Sequence, residues 1–289
     1  MSTSVDVLTK LDYQDLSVIK NKNKQQDKKI KFINHFYSLE LHNNKHWELQ
    51  EIDYTKQALD KQPDSFYKVP KDKLDIYREV KSPDNTASTF ICATTTSEAL
   101  VAKQPDYEPK KMTVYNAANN CLNDRKLPKI LLDSNGNPNT NHYRLDEISY
   151  KFTFIHESAH VFTNNGNENI VKDFENISWE TGEQKVTKIT YNKSGKELKK
   201  ETILARVYKK GTTDNDFVSD YAGGINEKSK NKTTIKYSNY IGKPKEDFAE
   251  SVAFYVYFPD KLKQISKEKY DFIKNRVYNG KEFKGILNE

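Results

Sequence analysis

Cysteine, methionine and tryptophan each occur only twice in the 289 residues, histidine six times, and arginine only at positions 78, 125, 144, 206 and 276. Two cysteines, Cys92 and Cys121, are too few for a disulfide framework; they leave either one bond or two reduced thiols. The scarcity of arginine matters because base-edge and bidentate phosphate recognition rely on it. The net charge of +6 is carried by lysine and reads as a solvated surface, with no specific nucleic-acid partner expected. No stretch approaches the roughly 18 consecutive apolar residues that span a bilayer. The opening "MSTSVDVLTKLDYQDLSVIK" lacks a basic segment followed by an apolar one, so no ordinary signal peptide is expected.

What the chain has is aromatic area: 18 Tyr and 14 Phe, which offset a low hydrophobic content of 35% and a charged content of 30%. That balance predicts a folded protein with long solvated loops. Residues 1–87 carry helix-like apolar spacing, with Leu8, Leu11, Leu16 and Ile19 on one stripe and "KIKFINHFYSLEL" on another, and Pro70 placed where a further helix begins. They are expected to form a mainly helical accessory region, with His35, His42 and His46 as surface or packing residues. Residues 88–289 are expected to form one α+β domain. Its first strands are "STFICATTT", "KMTVYNA" and "LPKILLD", followed by a helix over "RLDEISYKFTFIHESAHVF" that stops at Gly166. A β-leaning insertion at about 170–240 includes a hairpin around Ser194–Gly195, and helical spacing returns at "KPKEDFAESVAFYVYF", where Pro244 suits a first helical position. The segment "DKLKQISKEKYDFIKNRVY" reads as one further helix.

Within the helix ending "FIHESAHVF", Leu145, Ile148, Phe152, Ile155 and Ala159 form one buried stripe at steps of three and four. His156 and His160 stand on its flank, one turn apart. Two imidazoles at that spacing converge on a single metal ion, and Glu157 beside them is placed to take a proton from a water that the metal activates. An amphipathic helix that merely carries two histidines is the plain alternative.

A catalytic zinc needs a third protein ligand and an open position. After His160 the chain reads "VFTNNG", with no histidine in reach, and His142 and the N-terminal histidines are poorly placed. A carboxylate is therefore expected. "KPKEDFAES" supplies Glu246 and Glu250 on one face of a helix, where one acid can bind metal while the other accepts a histidine ring N–H. Asp216 in "GTTDNDFVSD" is the lower-ranked alternative ligand.

"HESAH" followed by "EDFAES" resembles the gluzincin metallopeptidases, and within them the branch that includes anthrax lethal factor and the proline-proline endopeptidases. The resemblance covers about residues 112–275; residues 1–85 match nothing familiar. It implies a zincin-like domain, with a mixed sheet and active-site helix followed by a helical C-terminal subdomain. It implies Zn2+ held by His156, His160 and Glu246, with Glu157 as general base and Glu250 as an acid behind the ligands. It also implies a tyrosine seven residues before the ligand glutamate, to hold the oxyanion. Tyr240 lies one residue from that spacing and is preferred; Tyr221 fits only if about 18 residues are inserted after it.

The expected activity is that of a zinc-dependent endopeptidase acting on a peptide or protein substrate, with a monomer assumed. An edge strand before the zinc helix, "LPKILLD" or "KMTVYNA", is expected to pair with extended substrate. A catalytically silent binding module or toxin-accessory protein is the alternative. The expected location is the cytoplasm, with export by a signal-less route, as an effector uses, and a mature secreted chain left open.

Overall fold

The computed structural model describes residues 10–42, 46–69, 73–79, 93–95, 111–115, 122, 125–139, 144–230 and 233–288. Helices combine with one mixed, largely parallel sheet and one antiparallel sheet. Two compact units emerge: Met1–Cys121 with Thr140–Asn165, and Leu122–Asn139 with Gly166–Glu289. Among the described residues no helix is long and apolar enough to cross a membrane. Leu8, Pro70, Cys92, Cys121 and His142 lie outside the described residues.

The first unit contains α1 (Lys10–Asp15), α2 (Lys22–Tyr37), β1 (Glu40–Leu41), α3 (Leu49–Lys61), β2 (Asp75–Glu79), β3 (Ala93–Thr95), β4 (Lys111–Tyr115) and α4 (Leu145–Asn164). Its sheet runs β1-β2-β4-β3, with β1, β2 and β4 parallel and β3 antiparallel to β4. Three expectations change here. "KLDIYRE" is a strand rather than a helix after Pro70: alternation buries Ile76 and Arg78, and the Arg78 fork is received by Glu51 of α3 at 2.6 and 3.1 Å. "KMTVY" is indeed a strand but lies inside the sheet, between β2 and β3, and so is not an edge. "LPKILLD" is a tight turn at Lys129–Leu131 in the second unit. Asp133 closes the loop after it by accepting from the N–H groups of Asn135 and Asn137, both at 2.9 Å. β1 and β2, from the segment expected to be helical and accessory, hydrogen-bond into the same sheet as β4. His42 stacks on Tyr77 at 4.2 Å and bonds Asp75 at 2.8 Å, a packing role as expected.

The second unit contains α5 (Glu168–Ser178), β5 (Gln184–Asn192), β6 (Glu197–Ala205), β7 (Ile225–Lys230), β8 (Thr233–Ile241), α6 (Pro244–Tyr257), α7 (Pro259–Ile265) and α8 (Lys267–Phe272). The antiparallel sheet runs β6-β5-β8-β7. The expected hairpin around Ser194–Gly195 is present as β5–β6. Helix α5 and the second hairpin, β7–β8, complete the region. The single helix expected after Pro259 is two. Ser266 has extended backbone and caps α8 by accepting from the Lys269 N–H at 3.3 Å, which breaks the run. Helix α6 is the unit's core. Phe248, Val252, Ala253, Phe254 and Tyr255 are wholly buried, and Phe248 meets Phe174 of α5 edge-on at 5.3 Å.

Candidate functional site

On α4 the apolar stripe is buried as its spacing requires: Leu145, Ile148, Phe152, Ile155 and Ala159 are all at most 1% exposed. His156 and Glu157 are buried and His160 half-buried. The two imidazoles meet edge-on at 4.9 Å between ring centres, with their Nε2 atoms 3.2 Å apart. Zn–N bonds of about 2.0–2.1 Å in tetrahedral geometry place two nitrogen ligands about 3.3 Å apart, so the pair already stands at the edge length of a zinc tetrahedron.

Helix α6 begins at Pro244, whose fixed φ suits the first helical position, with Lys243 preceding it as the cap residue. Glu246 follows in the first turn, where the positive helix end favours a carboxylate; its N–H donates to the Lys243 carbonyl at 3.0 Å. Among the described residues, His156, His160 and Glu246 each offer one ligand atom, and these atoms lie within 4.8 Å of one another. Two imidazole nitrogens and one carboxylate form a donor set suited to a divalent metal ion.

Asp216 is not part of that group. Its carboxylate accepts from the N–H and Oγ1 of Thr213, at 2.8 and 3.1 Å, and caps a short turn. Glu250 is wholly buried on α6, and its two oxygens take the fork of Arg125: Nε donates to Oε2 at 2.9 Å and Nη2 to Oε1 at 2.6 Å. The expectation for Glu250 named a histidine as its donor and did not foresee this arginine. The only signal for it was the rarity of arginine itself.

The two candidate tyrosines occupy different settings. Tyr240, on β8, stacks flat on Tyr208 at 4.9 Å and lines two cavities of about 530 and 270 Å3. Tyr221 lies in the turn after Ser219, 47% exposed, with the ammonium of Lys243 4.6 Å above its ring. Lys243 is the cap residue of the helix that carries Glu246.

The next acid on α6, Asp247, is wholly buried. It accepts from Lys269 at 2.8 and 2.9 Å and from the Trp179 indole at 3.0 Å. Burial raises the Asp247 carboxyl above its usual range and lowers the Lys269 ammonium below its own; each charge is the principal compensation for the other. Lys269 also donates to the Asp216 carbonyl at 2.8 Å and lies 4.0 Å over the ring of Phe217. The first turn of α6 is thereby anchored within its own unit. Compared with protein-family models, curated proteins and solved structures, the chain finds no match in any of the three.

Proposed function

We propose that the chain is a zinc-dependent endopeptidase of the zincin type. The observation that carries this reading is the convergence of His156, His160 and Glu246, with ligand atoms within 4.8 Å, on a helix turn that also bears Glu157. His156, His160 and Glu246 would hold the zinc, which would supply the polarisation of a peptide carbonyl and of a water near neutral pH. Glu157 takes a proton from the attacking water as the new C–O bond forms at the carbonyl carbon. It then delivers that proton to the departing nitrogen as the C–N bond breaks, leaving a carboxylate and an amine.

For the oxyanion we assign Tyr221 rather than Tyr240. Tyr221 precedes Glu246 by 25 residues, and residues 224–241 account for 18 of them, which leaves seven. Those residues are β7–β8 with its short flanks, and the ends of the segment touch. A Cβ on Gly242 would lie 2.9 Å from the Gly223 carbonyl oxygen and 3.0 Å from the Gly224 Cα. The hairpin thus leaves and rejoins the chain at one point, as an insertion does, and Tyr221 takes up the spacing that the gluzincin resemblance requires. Its exposure also suits a hydroxyl that must reach substrate.

The test is cleavage of a diverse peptide library, followed by mass spectrometry, with zinc content measured alongside. The wild-type chain should cleave, and Glu157→Gln should bind one zinc while cleavage falls by at least about a hundredfold. Zinc binding without cleavage by the wild type would identify a silent binding module instead. Cleavage that persists in Glu157→Gln would refute the mechanism.

A further inference from the structure

Glu250 sits one turn beyond Glu246 on α6 with no exposed surface, so its charge has to be met inside the protein. Arg125 meets it with a two-pronged contact at 2.6 and 2.9 Å, a geometry that fixes orientation as well as charge. The main chain at Arg125 is committed elsewhere. Arg125 forms an antiparallel bridge with Ser219, and the next N–H, of Lys126, donates to the Val218 carbonyl at 2.8 Å. From Ser219 the chain turns sharply: its Oγ accepts from the Ala222 N–H and its carbonyl from the Gly223 N–H, both at 3.0 Å. Tyr221 stands on that turn. One residue therefore holds the Tyr221 turn by its backbone and the Glu246 helix by its guanidinium, all within the second unit.

We infer that Arg125 is a positioning residue that sets the Tyr221 hydroxyl relative to Glu246, so that the oxyanion donor and the metal ligand keep a fixed separation. The inference rests on the endopeptidase reading and deepens it. The fork is the essential feature: a lysine at 125 keeps the positive charge for Glu250 but makes a single-point contact that lets the turn swing. A displacement of about 1 Å at a catalytic group costs on the order of a hundredfold in rate.

The experiment is a double-mutant cycle on the full chain with zinc loaded, using a peptide that the wild type cleaves. Arg125→Lys should lower kcat about ten- to a hundredfold, change KM by less than about twofold and retain one zinc. Tyr221→Phe should lower kcat by about a hundredfold or more. In the Tyr221→Phe background, Arg125→Lys should cost less than about threefold, because the group it positions is gone. Glu250→Gln, which keeps the acceptor shape but loses charge, provides a second variant that loosens the same fork and should show the same dependence on Tyr221. Equal losses from Arg125→Lys with and without the Tyr221 hydroxyl would overturn the inference while leaving the endopeptidase reading intact. A wild-type chain that cleaves nothing would remove that reading and this inference with it.

Discussion

In the helix bundle of the second unit, Lys269 and Asp247 meet at 2.8 Å with neither side chain exposed; in the sheet of the same unit, Lys188 and Glu201 meet at 2.9 Å with 28% and 29% exposed. The residue types and distances are nearly the same, and the consequences differ because of water. Burial works against the charged form of both bundle partners, so each depends on the other. In the sheet, Lys188 and Lys199 flank Glu201 and hold its carboxyl at about 2, and solvent stands ready to replace either partner. The bundle is where a fixed geometry is built, around α6 and Glu246. On β5 and β6 every residue but Val186 keeps some exposed surface.

The largest effect should come from breaking the buried pair on one side. Lys269→Met removes the ammonium that meets the buried Asp247 carboxyl, and should cost about 3–5 kcal/mol in denaturant unfolding; a loss below 1 kcal/mol would erase the contrast with the sheet. The middle effect belongs to the junction where β8 returns to the bundle. A Cβ on Gly242 would stand 2.5 Å from the indole of Trp179, which in turn donates to Asp247. Gly242→Ala should cost about 1–3 kcal/mol, through overpacking, by the same assay. An unchanged unfolding midpoint would show that the approach is not tight.

The smallest effect should come from the sheet pair. Glu201→Gln should leave the unfolding midpoint unchanged within scatter. Because the folded carboxyl is held low, its contribution is complete above the unfolded value near 4.3 and is lost only as pH falls toward about 2. Amide exchange in β5–β6 should therefore be insensitive to this carboxyl between pH 8 and 5. An NMR titration of Glu201 with a midpoint near 4.5 would contradict the ion-pair account.

How much of this was legible in the sequence follows from whether each signal was local. Helix α4 was readable because its apolar residues recur at helical spacing, and α6 because Pro244 and two acids mark a helix start. Strand β2 was not. "KLDIYRE" carries the lysines and acids of a helix surface, and Arg78 counts as an inward residue only once Glu51 receives it. The hairpin β7–β8 falls in the stretch expected to lean to β, but its pairing was not legible because in "NEKSKNKTTIKYSN" Ile235 and Tyr237 are the only large apolar residues, so alternation marks little of a buried face. The two histidines and Glu246 were legible from residue chemistry and spacing, whereas the Arg125 fork joins positions 125 apart with no motif at either end. The spacing of Tyr221 could be counted with about 18 residues inserted, but only the meeting of Gly242 with Gly223 and Gly224 shows which segment that is.

The central claim is that His156, His160 and Glu246 hold one metal ion. Calorimetric titration of the metal-stripped chain with zinc tests it most directly. The account predicts one equivalent bound by the wild type, no saturable binding by His160→Ala, and binding weakened at least about tenfold in Glu246→Ala. Equal zinc affinity in all three proteins would contradict it.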